Sequence, residues 1–203
     1  MKKHYVFDFD GTLFDVQSLW ERWLDQLEVC QIDREDARDR GSQLFETGFT
    51  PREHAEQMGI EGAELDELIG RFEEYTQAEA LTMLYDDVVP FLQEQDADLT
   101  VLTFGDHEYQ HFKLEAAGLD EHIQDIRIAR PERRKHVQLK ELCAATDAEV
   151  IFIDDNPREL SAALGEDLPI TLVRMMRAGS KHGDTHPNDG EHWQTITSLT
   201  EIE

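Results

Sequence analysis

His4-Tyr5-Val6-Phe7-Asp8-Phe9-Asp10-Gly11-Thr12-Leu13-Phe14-Asp15 is the stretch around which the rest of the chain is organised. Its first half is short, aromatic and β-branched, the composition of a buried strand. The apolar run breaks at Asp8-Phe9-Asp10-Gly11-Thr12, where Gly11 supplies a turn. A buried parallel strand ends in a loop, and ligands of open α/β sheets gather beyond such C-terminal strand ends. Two carboxylates separated by one residue at that edge repel each other unless a cation or a proton stands between them. Asp8 and Asp10 therefore point to a metal and acid–base site. Taken alone, the stretch also reads as a polar turn after a strand.

Working outward, residues 16–30 place Leu19, Trp20, Trp23, Leu24, Leu27 and Cys30 at helical spacing. Asp33 is placed to cap a helix running to about Gly48. Thr50-Pro51-Arg52-Glu53 is a helix start with Pro in its first position and Glu three after Thr. Leu65, Leu68, Ile69, Phe72 and Tyr75 give a further helical stripe. Residues 15–80 thus read as a helical cluster that no strand pattern interrupts.

From Asp86 the texture changes. A helix containing Pro90 precedes an apolar strand over residues 97–104, which ends in Thr103-Phe104-Gly105. A helix over 108–117 closes at Gly118. Asp125–Ala129 alternates as a more exposed strand, a helix follows over 133–146, and Glu149–Asp155 is an apolar strand closing in paired acids. A helix over 158–164 and a strand over 169–173 complete the pattern, before a polar surface loop from Gly179 to Glu191. Strands alternating with helices imply a Rossmann-like, three-layered α/β core built on a parallel sheet.

A chain of 203 residues can bury a substantial core, as one domain or as a domain with an insertion. No run of about 18 apolar residues is present, so no membrane span is expected. The start passes straight into a strand and does not read as a signal peptide. Cys30 and Cys143, in different segments, are expected to be reduced core residues of a cytoplasmic protein. The formal net charge of −26 argues against nucleic acid or an anionic membrane as partner. Six lysines and thirteen arginines against 45 acids suit either a high-salt host or simply an acidic surface. Oligomeric state is not legible.

Three apolar strands therefore end in polar side chains, Asp8/Asp10, Thr103 and Asp154/Asp155, and Lys135 opens the helix before the last of them. This order resembles the haloacid dehalogenase-like superfamily. Asp8-Phe9-Asp10-Gly11-Thr12 is similar to its first motif, Leu99–Thr103 to its second, Lys135 to the lysine of its third, and Ile151–Asp155 to its fourth. The helical insert is similar to the family's C1 cap. The resemblance implies a core of residues 1–14 and 81–203 with a helical cap over 15–80. It implies Mg²⁺-dependent hydrolysis of a small-molecule phosphate ester. Asp8 would be the nucleophile, forming an aspartyl phosphate, and Asp10 the general acid–base. Thr103 and Lys135 would bind the phosphoryl group. Mg²⁺ would be held by Asp8, by Asp155 helped by Asp154, and by the backbone carbonyl of Asp10. Glu159 would be a further acid near the metal.

Alternatives stay open at several positions. Arg133, Arg134 and Lys140 compete with Lys135, and the family's usual lysine–proline pairing is absent. Asp15 and Asp106 read as helix caps. His182, Asp184, His186 and His192 imitate a zinc site, but in a Gly-rich loop their spacing favours solvated residues. Asp10 favours phosphoryl chemistry over dehalogenation, and the absence of lysine between residues 4 and 112 removes a cap Schiff base. A phosphotransferase or mutase, and a catalytically silent binding or regulatory protein of the same fold, are the rival readings. Six cap arginines (Arg22, Arg34, Arg38, Arg40, Arg52, Arg71) are candidates for gripping a substrate anion.

Overall fold

The computed structural model describes residues 2–123, 125–184, 186, 189 and 191–202. Strand β1 (Lys3–Phe7) leads into four helices, α1 (Val16–Val29), α2 (Arg34–Leu44), α3 (Pro51–Gln57) and α4 (Gly62–Glu79), the last continued by a 3₁₀ turn over Ala80–Met83. Then follow α5 (Val88–Glu94), β2 (Asp98–Phe104), α6 (His107–Ala116) and β3 (Asp125–Ala129). The chain closes with α7 (Lys135–Ala145), β4 (Glu149–Asp154), α8 (Pro157–Gly165), β5 (Ile170–Met175) and β6 (Gln194–Ile196).

The six strands form one parallel sheet in the order β3-β2-β1-β4-β5-β6. β1 lies inside it, with Phe7 opposite Val101 on one side and Ile153 on the other. Its side chains alternate between two apolar layers, as the strand period of two requires. Tyr5 and Phe7 join the layer built with the helical insert, α5 and α6, whereas Val6 faces Leu139, Leu142 and Leu160 of α7 and α8. This is the three-layered α/β arrangement expected. β3 takes the sheet edge, which explains its alternating, half-buried pattern. β6 is an addition to the expected strands. Gln194-Thr195-Ile196 is too short and polar to announce itself, and its ladder comes from β5, with Val173 opposite Gln194 and Met175 opposite Ile196.

Local chemistry sets the helix starts. Asp15, Asp33, Thr50, Asp106 and Asn156 each accept a hydrogen bond from the first turn of the helix they precede. α2 stops at Leu44, short of the expected Gly48, because the chain must turn back toward the sheet. Gly48 has φ +118°, and a Cβ there would fall 3.1 Å from the backbone nitrogen of Asp106. Helices α1 to α4 bury Trp23, Leu24, Leu65, Leu68 and Phe72 among themselves, and Trp23 Nε1 donates to His54 Nδ1 at 2.9 Å.

The chain crosses between the sheet and this insert twice, and the crossings are paired. Asp15 N donates to the Met83 carbonyl (2.8 Å) and Tyr85 N to that of Leu13 (3.1 Å). Arg177, just after β5, braces them from below through the Thr12 carbonyl (3.1 Å) and the Asp87 carboxylate (2.8 Å). Cys30 and Cys143 are half-buried at the margins of the two apolar layers, not inside them, and are unpaired. No helix among the described residues is long and apolar enough to cross a membrane.

Candidate active site

β1, β2 and β4 are neighbours, so their C-terminal ends place Asp8, Thr103, Asp154 and Asp155 along one edge of the sheet. Asp8 still belongs to the ladder, its N–H donating to the Ile153 carbonyl at 2.8 Å. Lys135, the first residue of α7, reaches between the acids. Its Nζ donates to Asp8 Oδ1 (2.6 Å) and to Asp154 Oδ2 (2.8 Å). Asp154 Oδ1 accepts from Asn156 N (2.8 Å), and Asp155 Oδ2 accepts from the Ser180 hydroxyl (3.1 Å). All four charged residues are buried. The competing cations lie elsewhere: Arg133 on Glu141, Lys140 on Glu166, and Arg134 over the Phe104 ring.

Three carboxylates thus face one ammonium. Burial first, then mutual repulsion, pushes the carboxyls of Asp8, Asp154 and Asp155 up to about 7, and Lys135 offsets only part of this. Burial also opposes the charge of Lys135, but Asp154, Asp8 and Glu159 outweigh it and hold the ammonium above the ordinary lysine range. Oxygens of Asp8, Asp154 and Asp155 lie within 4.8 Å of one another. Hard oxygen donors carrying excess negative charge fit a divalent cation, and Asp155, which accepts from the neutral Ser180 hydroxyl, is where the charge is least balanced. Asp155 is also closely cradled, since a Cβ on Gly11 would sit 2.4 Å from its Oδ2. Glu159 stands outside this group, and the carboxylate of Asp10 does too.

Asp10 turns the other way. Lys113 Nζ, buried on α6, donates to both of its oxygens (2.6 and 2.7 Å), and Gln110 Nε2 donates to Asp10 Oδ2 (3.0 Å). Neither partner was singled out from the sequence, yet a signal existed. Gln110, Lys113 and Leu114 share the buried face of α6, and a lysine in such a stripe requires a carboxylate opposite it. Ser180, in the loop after β5, carried no comparable mark.

Beyond Asp10 and Lys113 a cavity opens between the insert and the sheet. Trp20, Phe45 and Phe49 of the insert and Phe104 and Tyr109 of the core wall it. None of the six candidate arginines lines it. Arg34 pairs with Glu21, Asp25 and Glu28, Arg38 with Glu21, Arg52 with Asp66, and Arg71 with Glu67, while Arg22 lies over the Tyr75 ring. Among the described residues, the histidines of the 179–191 loop form no metal-holding group. Instead the carbonyls of His182 and Asp184 and the Asp189 carboxylate surround the buried Arg174. Residues 185, 187, 188 and 190 of that loop lie outside the described residues.

A sequence profile of the haloacid dehalogenase-like hydrolases matches residues 2–165. No curated protein matches the chain significantly. Among solved structures, a protein of Burkholderia xenovorans assigned as a haloacid dehalogenase-like hydrolase aligns at 17% identity and TM-score 0.69, covering 97% of this chain and 93% of its own. The Bacillus subtilis protein YfnB, assigned to the same hydrolases and solved with magnesium bound, aligns at 18% identity and TM-score 0.62, covering 98% and 96%. The L-2-haloacid dehalogenase of Xanthobacter autotrophicus aligns at 22% identity and TM-score 0.59, covering 87% and 78%. At these identities the likeness is one of fold.

Proposed function

The chain belongs to the haloacid dehalogenase-like hydrolases, and on that premise we propose that it hydrolyses phosphate monoesters through an aspartyl phosphate on Asp8. The observation that carries this reading is the buried Asp8–Lys135–Asp154–Asp155 cluster with a second acid, Asp10, two residues after the first. An attack on carbon needs no such second acid, whereas transfer of a phosphoryl group needs a proton delivered to the leaving oxygen.

In the first half-reaction an Asp8 oxygen bonds to phosphorus, the bond from phosphorus to the leaving oxygen breaks, and Asp10 gives that oxygen its proton. In the second, Asp10 takes a proton from water, the resulting hydroxide bonds to phosphorus, and the bond to Asp8 breaks, releasing phosphate and restoring the Asp8 carboxylate and the protonated Asp10 acid. Lys135 and the Thr103 hydroxyl hold the phosphoryl oxygens. Lys113 and Gln110 aim the Asp10 carboxylate and balance its charge once the proton has left. Asp8 and Asp155, with Asp154 and the Asp10 carbonyl, would hold Mg²⁺, which when bound supplies positive charge against the anionic phosphoryl group. The helical insert over residues 15–80 acts as a cap that excludes water from the leaving group.

Phosphate release from p-nitrophenyl phosphate tests this, measured with Mg²⁺, with EDTA, and for Asp8→Asn. Turnover should require the metal and fall by at least ~10³-fold in Asp8→Asn, as loss of a nucleophile does. Folded wild-type protein that releases no phosphate with Mg²⁺ present, or that releases chloride from 2-chloropropionate instead, overturns the reading.

A further inference from the structure

The cavity beside Asp10 has a composition that the acid cluster does not explain. It encloses about 80 Å³, roughly half the volume of a cavity that takes benzene, so room for about three waters or about three carbon atoms. Trp20, Phe45, Phe49, Phe104 and Tyr109 form its walls, with Trp23 and Phe72 behind them. Among the described residues, the one cation lining it, Lys113, already faces both oxygens of Asp10. Gln110 Nε2 is likewise engaged, by Asp10 Oδ2 and by the Phe104 carbonyl (both 3.0 Å). Gln110 Oε1 remains buried without a partner among the described residues, so the site offers a ligand one unmet acceptor. Arg134 and Lys181 cover the Phe104 and Phe45 rings, 5.0 and 5.1 Å from their centroids, without lining the cavity, so inside it a second anionic group on a ligand would lose its hydration against aromatic rings. Asp10, the residue that touches the leaving oxygen in the proposed reaction, stands at the polar end of this cavity.

We infer that the cavity between the helical insert and the sheet is the leaving-group site, and that the alcohol it takes is small, uncharged and predominantly apolar, with at most one hydrogen-bond donor. This rests on the phosphatase reading above. It sets the chain apart from an enzyme for nucleotides, sugar phosphates or phosphorylated carboxylic acids. Those leaving groups are too large, too hydroxylated or charged for walls of Trp and Phe. Four of the six candidate arginines (Arg34, Arg38, Arg52 and Arg71) are held in ion pairs elsewhere on the insert, and none of the six lines the cavity. A cavity so apolar selects by transfer of surface from water, so each methylene that fits should contribute about fourfold to kcat/KM.

The test is a series of straight-chain alkyl phosphates from ethyl to hexyl, whose leaving-group basicity is nearly constant, compared with phosphoglycolate and a nucleoside 5′-monophosphate. We expect kcat/KM to climb about fourfold per carbon and then level off as the cavity fills, with phosphoglycolate at least ~100-fold below butyl phosphate. A flat series, or a preference for phosphoglycolate or the nucleotide, overturns the inference and leaves the phosphatase reading intact. Turnover of none of the esters overturns the phosphatase reading. The cavity is then judged by quenching of tryptophan fluorescence, to which Trp20 and Trp23 contribute from its wall. Saturation by butylphosphonate at concentrations at least tenfold below phosphonoacetate upholds the apolar site, and equal or reversed affinities overturn it.

Discussion

Gly11 follows the two acids of the first loop and packs against Asp155, and its backbone shows why no side chain is tolerated there. With φ +83° and a notional Cβ 2.4 Å from Asp155 Oδ2, it is both a turn and a contact surface. Gly11→Ala should strain the turn by about 1 kcal/mol or more and push Asp155 off the other carboxylates. Mg²⁺ affinity, read by calorimetric titration, should fall about 10–100-fold, as when a metal ligand's support is removed. Unchanged affinity in a folded variant would mean that Asp155 does not hold the ion. Residues differ in how far the sequence marks them. Asp8, Asp154 and Asp155 end apolar strands and are visible. Lys135 is visible only as one of several cations near a helix start, and burial between two carboxylates is what separates it from Arg133, Arg134 and Lys140. Lys113 lies on another element, and nothing local ties it to Asp10, a hundred residues earlier.

The helical insert is held at its centre by a histidine. His54 on α3 accepts from Trp23 Nε1 on α1 and stacks against Trp20. Burial pulls its pKa down to about 4 from the ordinary 6.5. A histidine lowered in this way stays neutral in the folded state while the unfolded chain takes up a proton. Its contribution is therefore complete above pH 6.5 and is lost as pH falls toward 4, a loss of about 3 kcal/mol at most. His54→Gln keeps an acceptor for Trp23 but cannot titrate. In urea unfolding, the variant should be the less stable at pH 7, and the gap should shrink or reverse by pH 5. A gap independent of pH would show that His54 is not held neutral. At this scale the sequence was informative about helix starts, because caps such as Asp33 and Thr50 act within one turn. It was poor on ends and on β6, because the stop at Leu44 and the pairing of Gln194–Ile196 are imposed by distant neighbours.

For the molecule as a whole, the net charge of −26 is a standing repulsion. Part of it is met locally, as where Arg34 gathers Glu21, Asp25 and Glu28 on the insert. The remainder is open to screening. Raising KCl from 0.1 to 1 M shortens the Debye length from about 10 Å to 3 Å and should lift Tm by about 3–6 °C, equivalent to one or two kcal/mol in a chain of this size. A Tm that stays flat or falls over that range would mean that the surface charge is already balanced by its neighbours.

The alternation of strands and helices, the caps, and the acids closing β1 and β4 were determined by the sequence alone. Each follows from period, propensity or a contact within a few residues, and those operate on the chain before it folds. Tertiary structure decided which cation meets which acid, the pairing of Asp10 with Lys113, the commitment of Arg34, Arg38, Arg52 and Arg71 to the insert's own acids, and the aromatic cavity between insert and sheet. Those are properties of distance in space between segments far apart in the chain. A side chain's partner at that range is set by how the layers pack, and no local pattern encodes it.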